Sequence, residues 1–426
     1  MLPELTMSER DEMTIDERRK YIYKMWGRYR DASRVEKGKM LNDMEHVTGM
    51  ARKSLIRILN GRLSRKKRER QRGPIYGATV QHAVAVIARG LDYPCAERLK
   101  PVLTSTAQHL MRHGQLFVDP GTEQLVNKIS VTTLKRMLAK IKLPGDKIAE
   151  RKPPKRKRDH LRDSYPMRKI PWDIPQPGHF EVDLVVHSGD DTSGEFIHTI
   201  QMTDVATGWS EIQAVFGRSY RVMVDGFRYM LDRLPFSVIE LHPDNGSEFF
   251  NQHLLRFWND KVTNLDLSRS RPFHKNDNRF VEENNHSLVR AYVGHGRLDT
   301  LAQLLIMREL YEDLWSYHNF FQPVMKTILK ICTDDFHYRR VFDQPLTPLD
   351  RLASAEILHS DQLDALFRYR DQIDLLALHD RIESQIAKLW KLPSPKSSIP
   401  VNIYQTFIKE KTASVTLSFE PSIPVQ

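Results

Sequence analysis

Cysteine is almost absent from this chain. Its 426 residues include two, Cys95 and Cys332, too few for a disulfide framework or a cysteine-rich zinc site. That usage fits a reducing cytosol. Long apolar runs are missing as well. None approaches the roughly 18 residues of a membrane span, and the N-terminal M-L-P-E-L-T-M-S-E-R-D-E is acidic with no apolar core, unlike a signal peptide. An acidic excess is also lacking: 65 Lys and Arg outnumber 54 Asp and Glu, for a formal charge of +11. The basic residues are clustered, which favours a polyanionic partner. Hydrophobic residues make up 40% of the chain, enough for folded cores, and the length predicts two to four domains.

The first part reads as helices. Tyr21, Ile22, Met25 and Trp26 recur at helical spacing, and so do Met40, Leu41, Met44 and Val47. Thr48-Gly49 breaks the pattern before Ala51-Arg-Lys-Ser-Leu-Ile-Arg-Ile-Leu. Helix, glycine turn and basic second helix form a helix-turn-helix pattern. In it Arg52, Lys53 and Arg57 face DNA while Leu55, Ile56 and Leu59 pack inward; an ordinary helical hairpin would read the same way. Arg62 to Arg72 is nearly all basic, and Arg65, Lys66, Lys67 and Arg68 are placed to grip phosphates, unless the run is a solvated linker. Residues 75–143 make a second helical unit, with stripes at Val80, Val84, Ile87 and at Leu99, Val102, Leu103. Ser130 to Leu138 looks like a second capped basic helix, so the expected DNA-binding region is bipartite. His109 and His113 are four apart, but no acidic or cysteine partner is near in sequence. They read as ordinary helix-surface histidines rather than metal ligands. Pro153 and Pro154 in R-K-P-P-K-R-K-R exclude a helix interior, so 151–174 is expected to be an extended basic linker along a DNA backbone.

From Gly178 the pattern changes to strands. Phe180–Val186, Phe196–Thr203 and Trp209–Phe216 read as an antiparallel meander. An amphipathic helix over Tyr220–Leu234, a strand over Val238–Leu241, a short helix over Asn251–Asn259, a strand over Leu265–Ser268 and a helix from Val281 follow. The order β-β-β-α-β-α-β-α is that of an RNase H-like fold, a mixed sheet with helices on both faces. Leu301–Phe321 is a further helix, and Leu375, Leu378, Ile382, Ile386 and Leu389 mark a long amphipathic one. The tail from Ser394 reads as peripheral or disordered. The expected layout is a helix-turn-helix domain with basic tail over 1–72, a second helical DNA-binding domain over 73–150, the linker over 151–174, an RNase H-like core over 175–325, and a helical C-terminal region over 326–426.

Phosphodiester cleavage needs a nucleophilic oxygen, a stabilised leaving oxygen and shielding of phosphate charge, which two divalent cations supply together. Hard oxygen ligands suit Mg²⁺ or Mn²⁺. The chain offers Asp183 inside E-V-D-L-V-V, Asp244 in H-P-D-N-G-S-E-F and the pair Glu282 and Glu283 at a helix start. Singly these are weak: a strand Asp can face solvent, and D-N-G makes a good turn. In this order and context they are a strong combination.

At these residues the sequence resembles the DDE transposases and retroviral-type integrases, in particular those of bacterial insertion sequences. The likeness covers roughly residues 175–325. D-N-G-S-E-F-F is similar to the family's motif around its second acid, S-R-S-R-P-F-H-K-N-D-N-R-F-V-E-E-N-N to its approach to the third, and H-N-F-F-Q-P to a motif that follows the core. The resemblance implies a metal-binding catalytic triad of Asp183, Asp244 and a glutamate at 282 or 283, with two Mg²⁺ or Mn²⁺ ions per site. Glu282 is favoured, because the family's third acid usually follows a small or β-branched residue, here Val281. It implies attack of water, then of a DNA 3′-hydroxyl, on phosphodiesters, by a homo-oligomer acting on element ends and target DNA in the cytoplasm, with the nucleoid. Asn245, Lys275, Asn276, Asn278, His286 and Arg290 are further candidate DNA contacts. The His-His-Cys-Cys module of retroviral integrases is absent, so end recognition falls to the helix-turn-helix units. A nuclease of the same fold without strand transfer and a catalytically silent DNA-binding regulator are the alternatives.

Overall fold

The computed structural model describes residues 13–61, 75–141, 174–243, 249, 251–262, 264–270, 280–281, 285–334, 337–392 and 401–409. The chain divides into two compact units, Met1–Ile75 and Tyr76–Gln426. No helix among the described residues is long and apolar enough to cross a membrane.

The first unit is a three-helix cluster of α1 (Ile15–Asp31), α2 (Arg34–Thr48) and α3 (Arg52–Leu59). Thr14 with Glu17, and Ser33 with Glu36, form reciprocal capping boxes that fix where α1 and α2 start. Helix α2 ends at Gly49, whose φ of +64° is a left-handed conformation that a side chain would disfavour. Ile22, Leu41, Met44, Leu55 and Leu59 make the core, and the Trp26 indole donates to the Leu59 carbonyl at 3.1 Å. Leu55 and Leu59 point inward as expected; Ile56 is half-buried.

The second unit opens with α4 (Ala78–Gly90), α5 (Ala96–Arg112), α6 (Pro120–Lys128) and α7 (Val131–Leu138). Next come β1 (His179–Val186), β2 (Ile197–Asp204), β3 (Ser210–Phe216), α8 (Tyr220–Arg233), β4 (Glu240–Pro243), α9 (Gln252–Lys261) and β5 (Asp266–Leu267). The sheet order is β3-β2-β1-β4-β5, with β1, β2 and β3 antiparallel and β1, β4 and β5 parallel. This order and these directions agree with an RNase H-like core. Helix α10 is a π-helical stretch, Asn285–Arg290, continued by α-helical Ala291–Val293. Then follow α11 (Leu301–Phe321), β6 (Thr327–Asp334), β7 (His337–Phe342), α12 (Pro348–Ser354), α13 (Ser360–Gln372) and α14 (Leu375–Lys391).

Two helices fix the sheet. Gly226 lets α8 approach, since a Cβ there would lie 2.7 Å from Ile200 Cδ1. Helix α11 closes the edge of β3. Asn319 donates to the Ser210 carbonyl and accepts its N–H, both at 2.9 Å, and Arg308 donates to the Ala214 carbonyl at 3.0 Å. An edge covered this way offers no free ladder to another chain. A buried ionic group joins β3, α8 and α11. Glu211 is fully buried, accepts from the Trp209 and Trp315 indoles at 2.9 and 2.7 Å, and pairs with Arg233, which also meets Glu312 at 3.0 Å.

Three features differ from the sequence reading. The helices over 76–141 share one continuous core with the sheet and belong to the same compact unit. Their anchors come from far along the chain: His109 donates to the Ile373 carbonyl at 2.8 Å, His113 to the Asp371 carbonyl at 3.0 Å, and Arg89 pairs with Asp380 at 2.6 Å. The two histidines therefore sit in a helix–helix interface rather than on an open surface. The region 326–426 is not helical throughout, because β6 and β7 pair as an antiparallel hairpin. The tail is partly docked: Ile408 N–H donates to Asp225 at 2.8 Å and Arg221 to the Tyr404 hydroxyl at 2.6 Å.

Candidate active site

Strand β1 alternates in the way a two-sided sheet requires. Phe180, Val182 and Leu184 are buried apolar residues on one face, while Glu181 and Asp183 project to the other. Asp183 is half-buried. Its Oδ1 accepts the Leu184 N–H at 2.8 Å, and its Oδ2 accepts the side-chain amide of Asn285. The Asn285 carbonyl oxygen is buried and finds no hydrogen-bond partner among the described residues. An acceptor left unsatisfied beside a carboxylate suits a hydrated cation, whose water supplies the missing donor.

Strand β4 runs beside β1 with Val182 level with Pro243. Strand β4 therefore ends at Pro243, one register position short of Asp183 on β1. Polar bonds hold β4 along its length. His242 Nδ1 donates to Ser268 at 2.6 Å, Ser268 donates to Glu240 at 2.6 Å, and His179 Nδ1 donates to the other Glu240 oxygen at 2.8 Å. Glu181 is fully buried, and its Oε2 accepts the N–H groups of Phe280 at 2.7 Å and Val281 at 3.1 Å. Val281 immediately precedes Glu282. Behind this layer His187 bonds Thr199 at 2.8 Å, and Thr199 bonds the Tyr311 hydroxyl at 2.5 Å. Burial holds the His187 ring far below its ordinary pKa, so it stays neutral.

Of the expected site residues, Asp244, Asn245, Lys275, Asn276, Asn278, Glu282 and Glu283 lie outside the described residues, as do Arg65, Lys66, Lys67 and Arg68. His286 is exposed on α10. Arg290 is engaged inward: it donates to the Val186 carbonyl at 2.7 Å and the Gly294 carbonyl at 3.0 Å, tying α10 to the end of β1. In the first unit Lys53 and Arg57 are exposed, whereas Arg52 bonds Asn42 and the Gly38 carbonyl of α2. Neither Glu181 nor Asn285 is among the site residues expected from the sequence. The E-x-D spacing that puts Glu181 on the face of Asp183 was the available signal. Elsewhere, His379, Asp380 and Glu383 cluster on α14, but Asp380 is neutralised by Arg89, which suits a helix-packing group.

No family model matches the chain. Over 300 residues it is 33% identical to the uncharacterized protein y4rM of Sinorhizobium fredii, an alignment covering 70% of this chain and 85% of that protein. The chain belongs to the same family as that protein. Among solved structures, the catalytic core domain of BIV integrase aligns at 15% identity over 34% of this chain and 85% of its own, with a TM-score of 0.26. A superposition that loose does not bear on function.

Proposed function

We propose that the chain is a DDE-type transposase that cleaves DNA at the ends of an insertion element and joins the freed 3′-hydroxyl to target DNA. The observation that carries this reading is what surrounds Asp183 on β1. Strand β4 ends beside it one residue before Asp244, and the segment one residue before Glu282 is bonded to its neighbour Glu181. In this reading Asp183, Asp244 and Glu282 would hold two Mg²⁺ or Mn²⁺ ions, which would shield phosphate charge and activate water for attack. The protein's own part is to hold the acids. Asp183 is fixed by the Leu184 N–H and Asn285. Strand β4, which precedes Asp244 in the sequence, is braced by the His242–Ser268–Glu240 chain. Helix α3, through Lys53 and Arg57, reads the element ends. Lys275, Asn278 and His286 meet DNA near the acids, and Asn245 lies next to one of them. The acting form is a homo-oligomer, which holds two element ends together.

The test is an Mg²⁺-dependent oligonucleotide assay with DNA bearing the inverted repeats that flank the gene. Asp183→Asn, Asp244→Asn and Glu282→Gln each abolish cleavage and strand transfer while DNA binding survives. Glu283→Gln retains most activity. Cleavage without joining would make the protein a nuclease of the same fold. Binding without metal-dependent cleavage would make it a regulator. Undiminished cleavage by Asp183→Asn would refute the site.

A further inference from the structure

Two side chains outside the acidic triad tie the residues that flank Glu282 in the sequence to the strand of Asp183. Glu181 and Asp183 are two residues apart on β1, so they share a face. Glu181 Oε2 takes the N–H groups of Phe280 and Val281, and Asp183 Oδ2 takes the amide of Asn285. These two attachments bracket Glu282 in the sequence. Hydrogen bonds accepted by an ionised carboxylate are of the stronger, charge-assisted class. The carboxylate at the start of a helical segment also meets the positive end of its dipole. Asn285 opens a π-helical stretch. Such a stretch shifts the side chains relative to α-helical spacing and is often found at functional sites. It places one side of α10 toward Asp183 while Leu288, Val289 and Val293 stay buried.

We infer that Glu181 and Asn285 are positioning residues of the active site: a two-point clamp that holds the residues on either side of Glu282 to β1 and fixes the orientation of the Asp183 carboxylate. This rests on the reading of Asp183 and Glu282 as metal-holding acids. Asn285 acts at closer range, because its donor holds one carboxylate oxygen and its own buried oxygen has no hydrogen-bond partner among the described residues. Glu181 acts on the backbone of the helical segment. A purely structural role for either residue would affect the folding transition alone. A positioning role affects metal affinity in protein that is still folded.

The experiment uses the full chain with Asn285→Leu, which keeps the side-chain size and removes the donor, and Glu181→Gln, which keeps one acceptor oxygen and removes the charge. Asn285→Gln, which retains an amide, is the conservative control. Mn²⁺ alone is titrated into each protein and the free ion followed by electron paramagnetic resonance, alongside thermal unfolding and DNA affinity. Loss of an outer partner of a metal ligand typically weakens metal binding by about 10–100-fold. That loss is expected for Asn285→Leu, a smaller one for Glu181→Gln and partial recovery for Asn285→Gln, with DNA affinity within about twofold of wild type. Wild-type Mn²⁺ affinity in folded Asn285→Leu, beside lost affinity in Asp183→Asn, would overturn the clamp and leave the site standing. Unchanged Mn²⁺ affinity in Asp183→Asn would overturn the site reading itself, and the clamp with it. Should Glu181→Gln fail to fold, Asn285→Leu decides.

Discussion

Replacing Arg233 by Met tests the buried ionic group that joins β3, α8 and α11. Arg233 pairs with Glu211, meets Glu312 at 3.0 Å and donates to the Ile212 carbonyl at 2.9 Å. The Glu211 side chain is fully buried and Arg233 is 14% exposed, so solvent cannot replace the missing partner. Removing one member of a buried pair typically destabilises by about 3–5 kcal/mol. The two indoles still donate to Glu211, which points to the lower end, about 3 kcal/mol. Burial already pushes the Glu211 carboxyl above its usual range, opposed by Arg233 and the indoles, and Arg233→Met pushes it further. A carboxyl raised in the folded state weakens the fold as pH rises through its pKa and restores stability as pH falls. The loss is therefore largest at neutral pH and shrinks in mild acid. Urea unfolding at two pH values, followed by tryptophan fluorescence, measures both. Adding Glu211→Gln should recover at least half of the loss. A loss under about 1 kcal/mol at neutral pH would refute the reasoning, since stranding a buried charge destabilises by more than that.

Burial lowers the pKa of His198 and of His318 to about 4. The His318 ring also donates to the Gly208 carbonyl at 3.2 Å, which opposes the effect of burial without cancelling it. In the unfolded chain both rings titrate near about 6.5, so that state takes up their protons first. Their contribution is complete above about pH 6.5 and is lost as pH falls toward about 4, by up to about 3 kcal/mol per ring. Urea midpoints across that window check this, and a flat profile would contradict it. Gly178→Ala should lose about 1–3 kcal/mol, because φ is +119° and a Cβ would lie 2.8 Å from the Ser237 carbonyl oxygen; equal unfolding midpoints would count against it. Neutralising Lys53 and Arg57 to Gln should flatten the salt dependence of DNA binding, by up to about 0.9 in log–log slope for each phosphate left without its cation. If α3 reads bases, discrimination between element ends and random DNA falls too, and an unchanged slope with unchanged discrimination would remove α3 from the interface.

The sheet is legible in the sequence because each strand carries its own local signal. Val182 and Leu184 alternate with Glu181 and Asp183, and the turn at Thr207-Gly208 separates two β-branched runs, so the order β-β-β-α-β-α-β-α can be read within a residue or two of the strand ends. Leu55 and Leu59 are legible on helical spacing for the same reason. The hairpin of β6 and β7 escapes the sequence reading, although T-I-L-K-I-C and H-Y-R-R-V-F carry β-branched and aromatic residues. Long-range pairings leave no local trace: nothing near His109 announces the Ile373 carbonyl 264 residues away. The same limit hides Asn285, because its bond to Asp183 depends on a π-helical winding that the 3.6-residue pattern does not anticipate. Glu181 looks like a solvent-facing strand residue until the backbone it holds is in place.

The docking of α4 and α5 onto the last helices has a consequence for synthesis. Arg89 meets Asp380, 291 residues later, and His109 meets the Ile373 carbonyl, 264 residues later. At about 5–20 residues per second, a ribosome needs roughly 10–60 s to deliver these partners after the first helices have emerged. During that interval the end of α4, where Gly90 packs against Leu375 and Leu376, has no α14 to pair with. The nascent chain therefore passes through a stage in which finished N-terminal helices wait for their C-terminal partners. A premature stop before Ser360 would leave that stage permanent, giving a chain with a complete sheet and a standing demand for chaperones.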